Sequence, residues 1–221
     1  MGNRRREGYR LLGKGVTQAA VARMVGVSRP SRPLTQDETD LVARSFTGIF
    51  AARDKALFLL GVKTGLRISE ILSIRLGDVI QAGRMVERVT IQRRNMKKKL
   101  EGRTIVLHPD LRAALSAWIA ELHVAGYMGA ETFVFQSRKG GNRPISRAQA
   151  YRILQEAYDA NEMTGTLGTH SMRKTFADRV YEKLGHDLFK TQKALGHRNI
   201  NSTVQYLSFK EEEIDAAILS I

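Results

Sequence analysis

From Leu34 onward, apolar residues recur every three or four positions in stretches broken by short polar turns, a pattern that predicts a mostly helical chain. The first stretch is LTQDETDLVARSF (34–46), where Thr35 can cap and Glu38, three residues on, completes a capping box. ARDKALFLLGVKTG (52–65) is strongly apolar and stops at Gly65, after which LRISEILSI (66–74) resumes the helical period. LGDVI leads into a short three-stranded region with strands at 79–80, 87–92 and 103–107, and the basic hairpin RRNMKKKLEG (93–102) joins the last two. Helices are expected at 110–125, behind Pro109, then at 146–160, 170–184, 187–195, 201–207 and 211–220. The fold class is therefore mainly α with a small antiparallel β-sheet (α+β), without internal repeats or low-complexity tracts.

The pattern is different before Leu34. Residues 1–33 carry Arg4, Arg5, Arg6, Arg10, Lys14, Arg23, Arg29 and Arg32 against the single acid Glu7, and end in SRPSRP. Within this basic arm, TQAAVARMVGVS (17–28) resembles the first helix and turn of a helix-turn-helix, but Pro30 and Pro33 interrupt the segment that would be its second helix. The expected organisation is an arm over 1–33, one domain over 34–209 and a terminal helix over 210–221. Over the whole chain, 36 Lys+Arg against 22 Asp+Glu give a formal net charge of +14, which favours a polyanionic partner, nucleic acid before a membrane surface. Zero cysteines exclude disulfides and cysteine zinc sites. No apolar run is long enough to span a bilayer, so the expected location is cytoplasmic, with the nucleoid if the source is bacterial.

Four short segments hold the candidate chemistry. In TGLRISE (64–70), Arg67 lies three residues before Glu70, so a carboxylate can orient its guanidinium while the fork stays open to a phosphate. In THSMRK (169–174), His170 and Arg173 stand one helical turn apart at a helix start behind a Thr169 cap, where both can face one anion. In LGH (195–197), Gly196 ends a helix and leaves His197 at a junction. In STVQYL (202–207), Tyr206 falls within a short helix capped by Asn201 or Ser202. Each residue taken alone admits a plainer role: a surface ion pair for Arg67, a cap for His170, a solvated charge for Arg173, a satisfied junction residue for His197 and a core aromatic for Tyr206.

Together and in this order, the segments resemble the tyrosine recombinase, or phage integrase, superfamily over roughly 34–209. TGLRISE resembles its first arginine box, and HSMRK followed by LGHRNINSTVQYL resembles its second box and nucleophile segment. FVFQSRKG (133–140) and RPISRAQAY (143–151) resemble the stretch between the sheet and that second box. The resemblance implies the catalytic-domain fold of DNA breaking-rejoining enzymes. It implies that Tyr206 attacks the scissile phosphate to give a 3′-phosphotyrosine and a free 5′-hydroxyl, while Arg67 and Arg173 grip the nonbridging oxygens. By the same resemblance His170 exchanges a proton with the tyrosine, and His197 hydrogen-bonds the phosphate. No metal, ATP or other cofactor is implied, because the bond energy is kept in the protein ester. A lysine on the hairpin would protonate the departing oxygen. Counting back from Arg103 favours Lys98, whereas the Asn-Met-Lys context favours Lys97, which we take, and Lys99 stands beside them. Arg93, Arg94, Lys98, Lys99, Arg138, Lys139, Lys174 and Arg198 are the candidates for contacts to DNA backbone phosphates.

The partners implied are double-stranded recombination sites, further copies of the chain forming a tetramer on DNA, and accessory DNA-bending proteins at some sites. The free protein is expected to be a monomer, or a compact state with Tyr206 withdrawn. Most relatives place a helical domain ahead of the catalytic one, and here only the basic arm precedes Leu34, as in the recombinases of fimbrial phase variation. Either neighbours help to grip the DNA, or a front part is missing. Ile214, Ala217, Ile218 and Ile221 line one face of the final helix, which by the resemblance docks on an adjacent protomer. Two other functions fit less: a type IB topoisomerase, which shares the chemistry, and a nonenzymatic DNA-binding regulator, which has no use for Tyr206 with Arg67 and Arg173.

Overall fold

The computed structural model describes residues 31–91, 103–207 and 211–221. The basic arm up to residue 30 and the hairpin with Arg93, Arg94 and Lys97 to Lys99 lie outside the described residues. Helix α1 (Gln36–Ser45) begins in the expected capping box: the Glu38 N–H donates to Thr35 Oγ1 at 3.2 Å, and the Thr35 N–H donates to Glu38 Oε2 at 2.9 Å. Helix α2 (Ala51–Thr64) is the centre of the core, with Ala56 through Leu60 and Val62 buried. It can be apolar all round because α5 (Pro109–Val124) covers one side and α7 (Thr169–Lys183) another. The approach of α7 is so close at Gly61 that a Cβ there would run into the Met172 side chain.

Between α2 and α5, the described residues form two four-residue helices, α3 (Ile68–Ile71) and α4 (Leu76–Val79), and four short strands. The strands depart from the expected three-stranded region. β1 (Ile80–Gln81) pairs with β2 (Arg84–Met85), and β3 (Arg88–Ile91) pairs antiparallel with β4 (Arg103–Val106) in the register Arg88 opposite Val106 and Ile91 opposite Arg103. The sheet region is thus two separate two-stranded ladders among the described residues. The reason is the turn at Ala82 and Gly83, both at positive φ (48° and 73°), which folds the chain back after two residues as a tight hairpin does. Val79, expected to open a strand, instead closes α4. Along β3 and β4 the buried Val89, Ile91 and Ile105 alternate with exposed Arg88, Thr90, Thr104 and Val106, so one face meets the core.

The second half is helical. α5 packs against α2, its Asp110 lying 3.6 Å from Lys63, and Trp118 Nε1–H donates to the Val134 carbonyl at 2.7 Å to hold the 133–136 segment against it. α6 (Arg147–Ala160), capped by Ser146, leads to α7, α8 (Leu188–Leu195), α9 (Ile200–Val204) and α10 (Glu211–Leu219). Two capping expectations are corrected. Thr169 is already inside α7, whose N-terminal junction is Gly168, its N–H donating to Ser171 Oγ at 3.1 Å. α9 is capped by Asn199, whose Oδ1 accepts from the Asn201 N–H at 2.9 Å, and Tyr206 sits in the turn after this helix. A small second cluster of Ala177, Leu195 and Leu207, with Phe176, Tyr181, Leu188 and Tyr206 against it, packs α7, α8 and the tyrosine segment together. Arg32, from the end of the basic arm, is tied to this body through Thr164, Thr166 and Glu38.

Candidate functional site

Two helices end at left-handed glycines, α2 at Gly65 (φ 61°) and α8 at Gly196 (φ 63°), and their C-termini face each other. The last carbonyls of a helix lack intrahelical partners and carry the negative end of its dipole, so cations are drawn there. Two arginines meet them. Arg173, reaching out of α7 and 1% exposed, donates from Nη1 to the Gly65 carbonyl and from Nη2 to the Leu195 carbonyl at 2.9 Å. Arg103, at the start of β4, donates from Nη2 to the carbonyl of Thr64 at 3.0 Å and to that of Ala194. Both thus clasp α2 to α8, one residue apart on each helix. The junctions carry Arg67 and His197, so the clasp sets how far apart those side chains stand.

Arg67 precedes α3, with its N–H donating to Glu70 Oε2 at 2.7 Å and its Nη1 lying 3.3 Å from Glu70 Oε1. The carboxylate orients the guanidinium as the spacing implied, and the side chain stays 40% exposed. Arg67 lies close enough that its charge disfavours charging of both His170 and Arg173. Burial, followed by the repulsion of Arg67, draws the Arg173 guanidinium down to about 10, so it remains a cation at neutral pH. Its Nε–H is buried and has no partner among the described residues. A buried donor with nothing to donate to is costly, and an anion would satisfy it.

His197, 8% exposed, is fixed by its neighbours. Its Nε2 lies 2.6 Å from Arg173 Nη2, and its Nδ1 lies 3.0 Å from Thr203 Oγ1. A guanidinium only donates, so Nε2 accepts, the imidazole is neutral and its proton is on Nδ1, donated to Thr203. His170 stands on the open side of α7, and its Nδ1 is 3.2 Å from the Tyr206 hydroxyl. Burial first, and then the charges of Arg173, Arg67 and Lys174, hold His170 below its ordinary 6.5, leaving the ring neutral and able to take a proton. The Tyr206 ring lies 5.3 Å from Arg173 Cζ and 5.3 Å, centre to centre, from the His197 ring. Tyr206 is therefore in its own protomer's cluster and not withdrawn from it.

Of the candidates, the structure brings Arg67, His170, Arg173, His197 and Tyr206 into one cluster, with Lys174 and Arg198 at its margin by their places next to Arg173 and His197. It does not bring Arg138 and Lys139 there. Arg138 lies 5.7 Å over the Phe50 ring at the start of α2, and the cluster is at the opposite end of that helix, about 20 Å away at 1.5 Å per residue. Lys97, Lys98, Lys99, Arg93 and Arg94 fall beyond the ends of β3 and β4, outside the described residues. Sequence reasoning missed Arg103 and Thr203. A basic residue at the mouth of a strand and a threonine in a capping-like run both look ordinary until their partners, far away in the chain, are known. Among the described residues, no group of three His, Cys, Asp or Glu stands together to hold a metal ion, and no helix is long and apolar enough to cross a membrane.

Residues 32–213 match the profile of the phage integrase family. The probable integrase/recombinase YoeC of Bacillus subtilis (strain 168) is 32% identical over 165 residues, which is 75% of this chain and 82% of that protein. The type 1 fimbriae regulatory protein FimE of Escherichia coli (strain K12) is 36% identical over 166 residues, covering 72% of this chain and 76% of that one. Among solved structures, the XerH site-specific recombinase bound to difH substrate in a pre-cleavage complex shares the fold with a TM-score of 0.66 at 23% identity. That likeness covers 87% of this chain and 55% of the XerH chain.

Proposed function

The chain belongs to the phage integrase family and is a tyrosine-type site-specific recombinase, and we propose that Tyr206, His170, Arg67, Arg173 and His197 carry its strand transfer. The substrate class is double-stranded DNA. The reading rests on one observation above the rest. Four segments of the chain converge on the guanidinium of Arg173, whose buried Nε–H has no partner among the described residues, with the Tyr206 ring against the same guanidinium.

In this reading the scissile phosphate enters between Arg67 and Arg173. The open fork of Arg67 and the Nε–H of Arg173 donate to its nonbridging oxygens, and their charges offset the negative charge that grows as the phosphorus becomes five-coordinate. Neutral His170 takes the proton from the Tyr206 hydroxyl at Nδ1 as the phenolic oxygen bonds to phosphorus. The bond to the 5′-oxygen breaks, and that oxygen leaves as a hydroxyl after protonation by a hairpin lysine, Lys97 by our assignment. Rejoining runs the same steps backwards, with a 5′-hydroxyl of a partner strand displacing the tyrosine. While His197 keeps its proton on Nδ1, its Nε2 is an acceptor and serves the phosphate through Arg173. Because Tyr206 contacts its own site, cleavage proceeds in cis.

The domain carrying this chemistry spans 34–209. Arg198 and Lys174 border it and, with the hairpin cations Arg93, Arg94, Lys98 and Lys99, hold neighbouring phosphates, while Arg138 and Lys139 meet DNA farther out. Copies of the chain assemble as a tetramer on paired sites, joined by the exposed apolar residues of α10.

The test is Tyr206→Phe on a nicked suicide substrate. The wild-type protein leaves a covalent DNA–protein adduct whose linked peptide contains Tyr206, whereas the variant binds the same DNA and leaves none. An undiminished adduct in the variant would reject the assignment.

A further inference from the structure

Three residues before the candidate nucleophile, Thr203 is fully buried on α9 and bonds in two directions at once. Its carbonyl accepts from the Tyr206 N–H at 2.9 Å, while its hydroxyl oxygen lies 3.0 Å from His197 Nδ1. Beyond the imidazole, His197 Nε2 faces Arg173 Nη2 at 2.6 Å. Through its carbonyl and its hydroxyl, Thr203 therefore links the backbone of the nucleophile to one ring, and through that ring to the guanidinium at the centre of the site.

Only one arrangement of protons suits that line. Arginine has no acceptor, so the nitrogen facing it must carry a lone pair, and a neutral imidazole then has its proton on Nδ1. A buried Nδ1–H needs an acceptor, and Thr203 Oγ1 is placed to be one. Without that oxygen the Nδ1–H loses the acceptor that Thr203 supplies, and the ring is free to turn or to exchange its proton between the two nitrogens, either of which takes the lone pair away from Arg173. The hydroxyl and the guanidinium thus hold the ring from its two sides in one tautomer and one orientation, and the ring so held helps fix where the guanidinium rests. The same threonine is joined to Tyr206 by its carbonyl, so any movement that lifts the tyrosine segment away also withdraws the acceptor.

Building on the strand-transfer reading above, we propose that Thr203 is a positioning residue whose hydroxyl holds His197 in its Nδ1–H tautomer and orientation and thereby keeps Arg173 aimed only while the Tyr206 segment is docked. It touches neither the phosphate nor the reacting oxygen. Its effect passes through His197.

The test combines nitrogen-15 NMR of histidine in the free, full-length protein with adduct formation on the nicked substrate, using Thr203→Val and Thr203→Ser. In wild type and Thr203→Ser, His197 shows a protonated Nδ1 and an unprotonated Nε2. In Thr203→Val that pattern is lost, adduct formation falls about tenfold to a hundredfold, and DNA binding is unchanged. Thr203→Ser restores the rate to within about threefold of wild type. In a His197→Ala background, adding Thr203→Val costs no more than about twofold, because the route through the ring is already gone. Thr203→Ala replaces Val if thermal melts show the Val protein unfolded. An intact Nδ1–H pattern in the Val protein, or losses that multiply in the double variant, would overturn the proposal. The spectrum is recorded without DNA, so its failure is distinct from failure of the strand-transfer reading, in which the wild-type protein itself would form no adduct.

Discussion

At the scale of single residues, the site works by matching proton positions to charge. Arg173 is nearly enclosed, yet one of its donors has no partner among the described residues, and His170 beside it is held neutral by burial and by three nearby cations. The direction of that shift has a consequence. Above 6.5 the ring is neutral folded and unfolded, so it adds nothing to the pH dependence of stability. As the pH drops below 6.5 the unfolded chain takes up a proton that the folded ring still refuses, and stability falls until the folded ring also charges. Adduct formation should therefore hold as the pH passes down through 6.5 and decline only at lower values, where protonated His170 can no longer accept from Tyr206. A pH profile of single-turnover adduct formation checks this, and the acid limb should disappear or move in His170→Gln. The chemical identity of Tyr206, Arg67 and His170 was legible from local sequence because each sits in a short, recognisable segment. The partner of each was not, since hydrogen bonds such as His197 to Arg173 join positions 24 residues apart.

At the scale of elements, the site is a junction of helix ends. Gly65 and Gly196 stop α2 and α8 in the left-handed region, and Arg103 and Arg173 clasp the carbonyls exposed there. Gly65 is doubly constrained: its φ is 61°, and a Cβ would run into the Phe176 ring. Gly65→Ala should lose about 1 to 3 kcal/mol of stability, read as a lower denaturation midpoint at unchanged slope. Adduct formation should fall as well, because the carbonyl that holds Arg173 would move. Helix positions and stops were readable from periodicity and glycine. The strand pairing was not, because Ala82-Gly83 lacks the usual asparagine or aspartate of a tight hairpin and β2 is only two residues long. The caps at Gly168 and Asn199 were likewise shifted, by one to three residues, from the readings at Thr169 and at Asn201 or Ser202, since several neighbouring polar side chains could have served.

At the scale of the whole molecule, the tail of the chain offers apolar surface that its own domain leaves bare. Ile214 is 53% exposed and Ile218 62% on α10. If α10 joins protomers, replacing both by aspartate should leave binding to a single half-site unchanged and weaken multi-protomer complexes on paired sites about tenfold or more. Native gel shifts and sedimentation on DNA measure the two separately. The sequence by itself determined the helical class, the basic character, the family and the five residues of the cluster, because all of these are written in composition, period and short ordered segments. Tertiary structure alone decided that Arg103 joins Arg173 in clasping two helix ends, that the Thr203 hydroxyl stands against His197 Nδ1, and that Arg138 stands a helix length from the centre. The physical reason is that hydrogen bonding and burial depend on which distant segments meet, and a linear pattern records which residues are available without recording their partners.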